Sequence, residues 1–191
     1  KPLDVTGIKS LAIERLGGLR DGTLDFSLFF DTAAGQEHAA LSGLPVTDTI
    51  GTFFAPNASY ALAVGNPACS INAKQVNYDW TRGTDGSLTG KVSLTSDAYG
   101  LEWGEQLTAG LRTDTGATAG SAYEYTGQAT TNFGLQAYLQ VTAFSGTDVT
   151  IKLQESSDNG ADTYADVVGG GFTQITTGQA PKAQRIATAT N

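Results

Sequence analysis

The chain has 191 residues, eleven Lys and Arg against nineteen Asp and Glu, and a net charge of −8; this length suits one domain that buries about 70% of its surface without metal or disulfide staples. Cys69 is the only cysteine and His38 the only histidine, which excludes an intrachain disulfide and argues against a zinc site, which needs several such ligands. The cations are scattered (Arg15, Lys74, Arg82, Lys91, Arg112), so no basic cluster is present to grip phosphates, and the acidic balance suits a surface that DNA slides past or one that simply stays soluble.

Abundant glycine and threonine favour strands and turns over helices. The run from Ile8 to Leu16 reads as a strand, broken by Gly17-Gly18. After the Asp21-Gly22 turn signal, Leu24, Phe26, Leu28 and Phe30 alternate with Asp25, Ser27 and Phe29, the period of a half-buried strand. Gly35 to Gly43 is the one helical candidate, with Thr32 as a cap and Gly43 and Pro45 as stops. Leu44 to Asn57 reads as a long loop around the extended piece Thr49 to Phe54. There Phe53 and Phe54 either tuck under a sheet or anchor a neighbouring subunit. A further strand is expected from Tyr60 to Val64.

The centre of the chain is Asn77 to Gly110. Cys69 to Thr81 and Ser87 to Thr95 are two alternating runs joined by Gly83-Thr84-Asp85-Gly86-Ser87, the pattern of an antiparallel hairpin. Leu107 to Gly120 reads as a loop or linker, and Ser121 to Thr126 as a short strand. In the second half Leu135 to Val141 and Val149 to Leu153 alternate cleanly. Tyr164 to Val168 and Phe172 to Thr176 flank Gly169-Gly170-Gly171, which reads as a flexible connection. The spacing of these signals is that of an all-β, antiparallel sandwich or barrel with one short flanking helix. We expect a single domain over 1–191, with an internal division near 127–134 and a sandwich-like second half. No apolar run approaches the roughly 18 residues of a membrane span, and no signal peptide is evident. Methionine is absent even at position 1, from which we expect a processed or shortened N-terminus.

Candidates for chemistry are few. His38 lies among small and polar residues with no Gly-x-Ser-x-Gly elbow in the chain, and reads as a helix-face residue. Asp158, Asn159, Asp162 and Asp166 do not match a calcium loop, and Asp-Asn-Gly reads as a hairpin turn. Glu102 and Glu105 flank Trp103, a pattern that glycoside hydrolysis can use, without a mark that either is buried. Gly169-Gly170-Gly171 lacks the lysine and helix of a phosphate cradle. We therefore expect no enzyme, and assign no catalytic, metal or cofactor-binding residue.

The segments Arg20 to Phe30, Leu44 to Thr49 and Asn77 to Gly110 together resemble the major tail (tail tube) proteins of long-tailed bacteriophages, closest to those of phages of actinobacteria. The resemblance runs in order over most of the chain, and no motif in it is as specific as a metal or nucleotide signature. It implies a virion protein assembled in the bacterial host cytoplasm, whose copies form stacked, usually hexameric rings. The hollow lumen conducts double-stranded DNA without specific binding, and the partners are the chain itself and other phage tail proteins. On this reading Asp79 and Thr81 are candidates to face the lumen, and Thr49, Phe53 and Phe54 to contact neighbouring subunits, with the loop from Leu107 to Gly120 a further ring-to-ring candidate. The chain departs from the family pattern at Ala187-Thr188-Ala189-Thr190-Asn191, where further aromatic strands are expected. The alternative is a carbohydrate-binding or virion-decoration sandwich in which Tyr138, Tyr164 and Phe172 stack on sugars.

Overall fold

The computed structural model describes residues 3–4, 15–16, 21–33, 37–43, 47–124, 134–158 and 160–188. These residues are mostly strand, paired in antiparallel ladders, with one short helix. In chain order the elements are β1 (Leu3–Asp4), β2 (Arg15–Leu16), β3 (Thr23–Phe29), α1 (Glu37–Leu41), β4 (Thr49–Phe54), β5 (Pro67–Arg82), β6 (Leu88–Ser96) and β7 (Glu102–Glu105). They continue as β8 (Gln136–Val141), β9 (Asp148–Val149), β10 (Lys152–Glu155), β11 (Ala165–Gly171), β12 (Ile175–Thr176) and β13 (Lys182–Ala187). Contacts divide the chain into two units, one of Lys1–Asp48 and Ala73–Leu101, the other of Thr49–Asn72 and Glu102–Asn191. The units are therefore interleaved, and β5 passes from the second into the first. The division expected near 127–134 lies, apart from Gly134, outside the described residues. No helix among the described residues is long and apolar enough to cross a membrane.

In the first unit β6 has β3 on one side and the later part of β5 on the other. The period-two pattern of β3 places Leu24, Phe26 and Leu28 opposite Leu94, Val92 and Gly90. Across β6 these meet Gln75, Tyr78 and Trp80. Val76 is a bulge that lets the strand change phase between Gln75 and Asn77. The backbone N–H of Ser93 donates to the side-chain oxygen of Asn77 at 2.6 Å. The helix α1 ends at Leu41 rather than at Gly43, and both its first turn and its last carbonyl are tied to β5. The Gln75 amide donates to the Leu41 carbonyl at 2.8 Å, and His38 Nδ1 lies 2.9 Å from the Tyr78 hydroxyl. Phe30 joins them, edge-on to Trp80 at 4.8 Å and tilted against His38 at 4.9 Å. His38 is thus a half-buried packing residue.

Gly90 is required where it stands. It faces Trp80 across the ladder, and a β-carbon there would come within 2.9 Å of the indole ring. The ring cannot easily give, because Tyr78 meets it edge-on at 5.1 Å and Phe30 at 4.8 Å. The aromatic covers the glycine and substitutes for the missing side chain.

In the second unit the first part of β5 runs between β4 and β7. Ala68, Cys69, Ser70 and Ile71 are all buried, so both faces of the strand are covered there. The β8–β13 ladder pairs Tyr138 with Arg185 and Leu139 with Gln184. Two shorter ladders, β9–β12 and β10–β11, bring the buried Val167, Phe172 and Ile175 into this unit.

Several expectations are corrected here. Tyr60 to Val64 is a loop: the Asn57 side chain accepts from the amides of Ser59 at 2.9 Å and Ala61 at 3.0 Å, an Asx-type turn that competes with strand formation. Tyr60 takes a φ of 59° and is 90% exposed. Gly169-Gly170-Gly171 is part of β11 rather than a connection, and these glycines belong to a bulge. Lys152 pairs with Gly171 and Gln154 with Asp166, so five residues of one strand span two of the other. The run Val149 to Leu153 is split between β9 and β10, and the strand expected at Phe172 begins only at Ile175. Ser121 to Glu124 is not strand, and Tyr125 and Thr126 lie outside the described residues, as do Ile8 to Glu14. Replacing Gly90 by valine should lower stability by about 1–3 kcal/mol through overpacking against Trp80. Urea denaturation checks this, and an unchanged midpoint would show that the indole is free to move.

Candidate functional site

The most constrained polar cluster belongs to the second unit. Glu102 on β7 receives two parallel bonds from Arg185 on β13, Nε to Oε2 at 2.8 Å and Nη2 to Oε1 at 2.9 Å. The side chains of Arg185 and Glu102 are only 10% and 16% exposed. Tyr138, opposite Arg185 in the ladder, donates its hydroxyl to Glu102 and accepts from Arg185 Nε at 3.1 Å. Burial, and then the bond to Glu102, push the Tyr138 hydroxyl up to about 12. The carboxylate bond also drives Arg185 above its ordinary range. A carboxylate held by a fork and a phenol is a tie between strands, not a free acid or base. The pairing of Glu102 with Glu105 that hydrolysis would need is therefore replaced by a structural ion pair. Tyr138 is likewise not open for sugar stacking, and Phe172 is buried; of the three aromatics proposed as a platform, only Tyr164, 41% exposed, remains open.

The acidic residues after β10 form a turn. The Ser156 hydroxyl lies 2.5 Å from an Asp162 oxygen, and the Asp162 amide donates to Asp158 at 2.7 Å. The Ser156 hydroxyl, ahead of Asp158 and Ser157, holds the Asp162 carboxyl below its usual range. Asp166 is engaged by Lys152 at 2.5 Å and by Gln154 at 2.8 Å. Among the described residues no group of three His, Cys, Asp or Glu side chains is placed to hold a metal ion; Asn159 lies outside them.

The residues expected at subunit contacts lie on β4, an outer strand of the sheet around β5. Thr49 is half-buried, while Phe53 and Phe54 are 51% and 38% exposed, so neither phenylalanine tucks under the sheet. Across β5 from them, Trp103 on β7 is 71% exposed and pairs with the buried Cys69. Burial pushes the Cys69 thiol up, against a bond with the Phe53 backbone, as expected of an inert core thiol. The loop after β7 is closed on itself. Arg112 donates to Asp114 at 3.0 Å, to the Thr118 hydroxyl at 2.9 Å and to the Ala119 carbonyl at 2.9 Å. A cavity of about 460 Å³ opens between Val64, Leu107, Leu111 and Ala119. Asp79 and Thr81 are both exposed on one face of β5, but Asp79 stands opposite Lys91. That face is therefore mixed in charge.

Replacing Arg185 by methionine leaves the Glu102 carboxylate uncompensated and should cost about 3–5 kcal/mol, most of it recovered when Glu102 is also made leucine. The raised Tyr138 hydroxyl sets a pH dependence. An unfolded tyrosine ionises near 10, so the stability it contributes is complete below that pH and is lost as pH rises from about 10 to about 12. Denaturation at increasing pH should show this loss in the native chain and a flatter profile in Tyr138→Phe; equal profiles would mean that the phenol is not held as described. No protein-family model, no curated protein and no solved structure matches the chain.

Proposed function

We propose that the chain is a self-assembling structural subunit of the phage tail-tube kind, not an enzyme, and that its strands form a two-layer sandwich. Copies associate head to tail into stacked, hexameric rings within the virion, and the hollow bore conducts double-stranded DNA without binding it specifically. The observation that carries this reading is the free edge of β3. This strand pairs only with β6, and its other edge has no partner among the described residues. It holds neither lysine nor proline and ends in Phe29, 74% exposed. A seven-residue edge of this kind is a template for pairing with another chain unless something protects it. The exposed Phe53 and Trp103 add apolar surface suited to a subunit contact, and heterologous contacts that close generate rings. The packing of Tyr138 and Arg185 of the β8–β13 ladder on Glu102 of β7 supports the two-layer arrangement.

Negative-stain electron microscopy of the concentrated protein should show rings or hollow tubes of uniform bore. Phe53→Lys should abolish them while leaving the circular dichroism spectrum of the protomer unchanged. A dispersed monomer at every concentration contradicts the proposal.

A further inference from the structure

The face of the first unit that turns away from the aromatic cluster carries a regular polar array. Asp25, Ser93 and Asn77 form one row across the three strands, Ser27, Lys91 and Asp79 the next, and Phe29, Thr89 and Thr81 the third. Strands are spaced about 4.8 Å apart and alternate residues about 7 Å, so these nine side chains form a grid on the scale of a sugar ring. A shallow groove of about 410 Å³ opens over Asp25, Ser27, Asn77, Lys91 and Ser93 of the first two rows, with Asp79 at its border.

The grid is partly locked and partly free. Ser93 donates its hydroxyl to one oxygen of Asp25. Asn77 accepts from the Ser93 amide and donates to one oxygen of Asp79 at 3.0 Å. These bonds fix the carboxylates and leave the second oxygen of Asp25, the second oxygen of Asp79 and all of the Lys91 ammonium without a partner among the described residues. Two acceptors therefore flank a three-fold donor, with the Ser27 hydroxyl beside them. Phe29, one row away, presents its ring to solvent.

The geometry points to a neutral oligosaccharide as the ligand of this groove. Adjacent sugar hydroxyls each donate and accept, which matches carboxylate oxygens alternating with an ammonium. An exposed aromatic ring offers an apolar surface to the C–H face of a neighbouring sugar. A phosphate chain is disfavoured, because the two carboxylates leave the groove with a net negative charge despite Lys91. The inference goes beyond the assembly reading and does not rest on it; it places Asp79 and Thr81 beside a ligand groove on the same face.

Saturation-transfer NMR on the full chain, with maltohexaose, cellohexaose and the neutral hexa-N-acetylchitohexaose in turn, tests it. At least one should give saturable transfer, with affinity about tenfold weaker in Phe29→Ala and also reduced in Lys91→Ala. Phe29 and Lys91 are exposed, and retained amide dispersion in both variants shows that the fold persists. Three outcomes overturn the inference: no saturable transfer from any of the three sugars, transfer that neither substitution weakens, or displacement of the bound sugar by a short DNA duplex.

Discussion

Everything described here depends on β5. Its sixteen residues must satisfy backbone groups on both edges, and they do so with different partners along their length. Pro67 to Ser70 pair with β7, and Ala73 to Arg82 with β6. The early part carries small or compact side chains, Ala68, Cys69, Ser70 and Ile71, that are all buried. The Val76 bulge then shifts the phase, so that Tyr78 and Trp80 lie on the face of α1 and Phe30 while Asn77, Asp79 and Thr81 lie on the opposite, polar face. Without that extra residue the two sets would exchange faces.

Among the described residues few apolar side chains are fully buried, and buried glutamines share in holding them together. Gln75 reaches the Leu41 carbonyl at the end of α1. Gln106, 1% exposed, donates to the carbonyls of Ala55 at 2.8 Å and Pro67 at 3.3 Å. Gln184 exchanges two bonds with the main chain of Thr173, at 2.8 and 2.9 Å, and so imitates a strand pair where no strand runs. Satisfied bonds of this kind are worth about 1 kcal/mol each, but an orphaned carbonyl would cost about 1–3. Their main effect is thus to prevent loss at places where loops are buried. The amide oxygens of Gln75 and Gln106 are buried without a hydrogen-bond partner among the described residues.

How much could be read beforehand follows from the range of the interactions. The β3 pattern, the β5–β6 hairpin and the β8 alternation are visible in sequence because hydrophobic periodicity and turn residues are local signals. The loop at Tyr60 looked like a strand because apolar residues alternate there, while the Asn57 side chain that bends it lies three residues earlier. Strand β7 was hidden within Glu102-Trp103-Gly104-Glu105, read for its carboxylates. Strand β13 carries Arg185, whose partner Glu102 is 83 residues away; no local signal links them. For the same reason Glu102 and Tyr138 suggested chemistry one at a time, and only together read as a tie. Phe29, by its place on the polar side of the β3 alternation, is legible in the sequence as an exposed aromatic.

Amide hydrogen exchange followed by mass spectrometry at low and high protein concentration examines the protected central strand β5 and the outer strand β3 at once. The amides of Ala68 to Gln75 in β5 should exchange slowly under both conditions. The outward-pointing amides of β3, those not bonded to β6, should exchange quickly when the protein is dilute and slow markedly when it is concentrated, as the free edge acquires a partner. If β3 exchanges at the same rate at both concentrations, the edge is not an assembly surface and the proposed self-association fails.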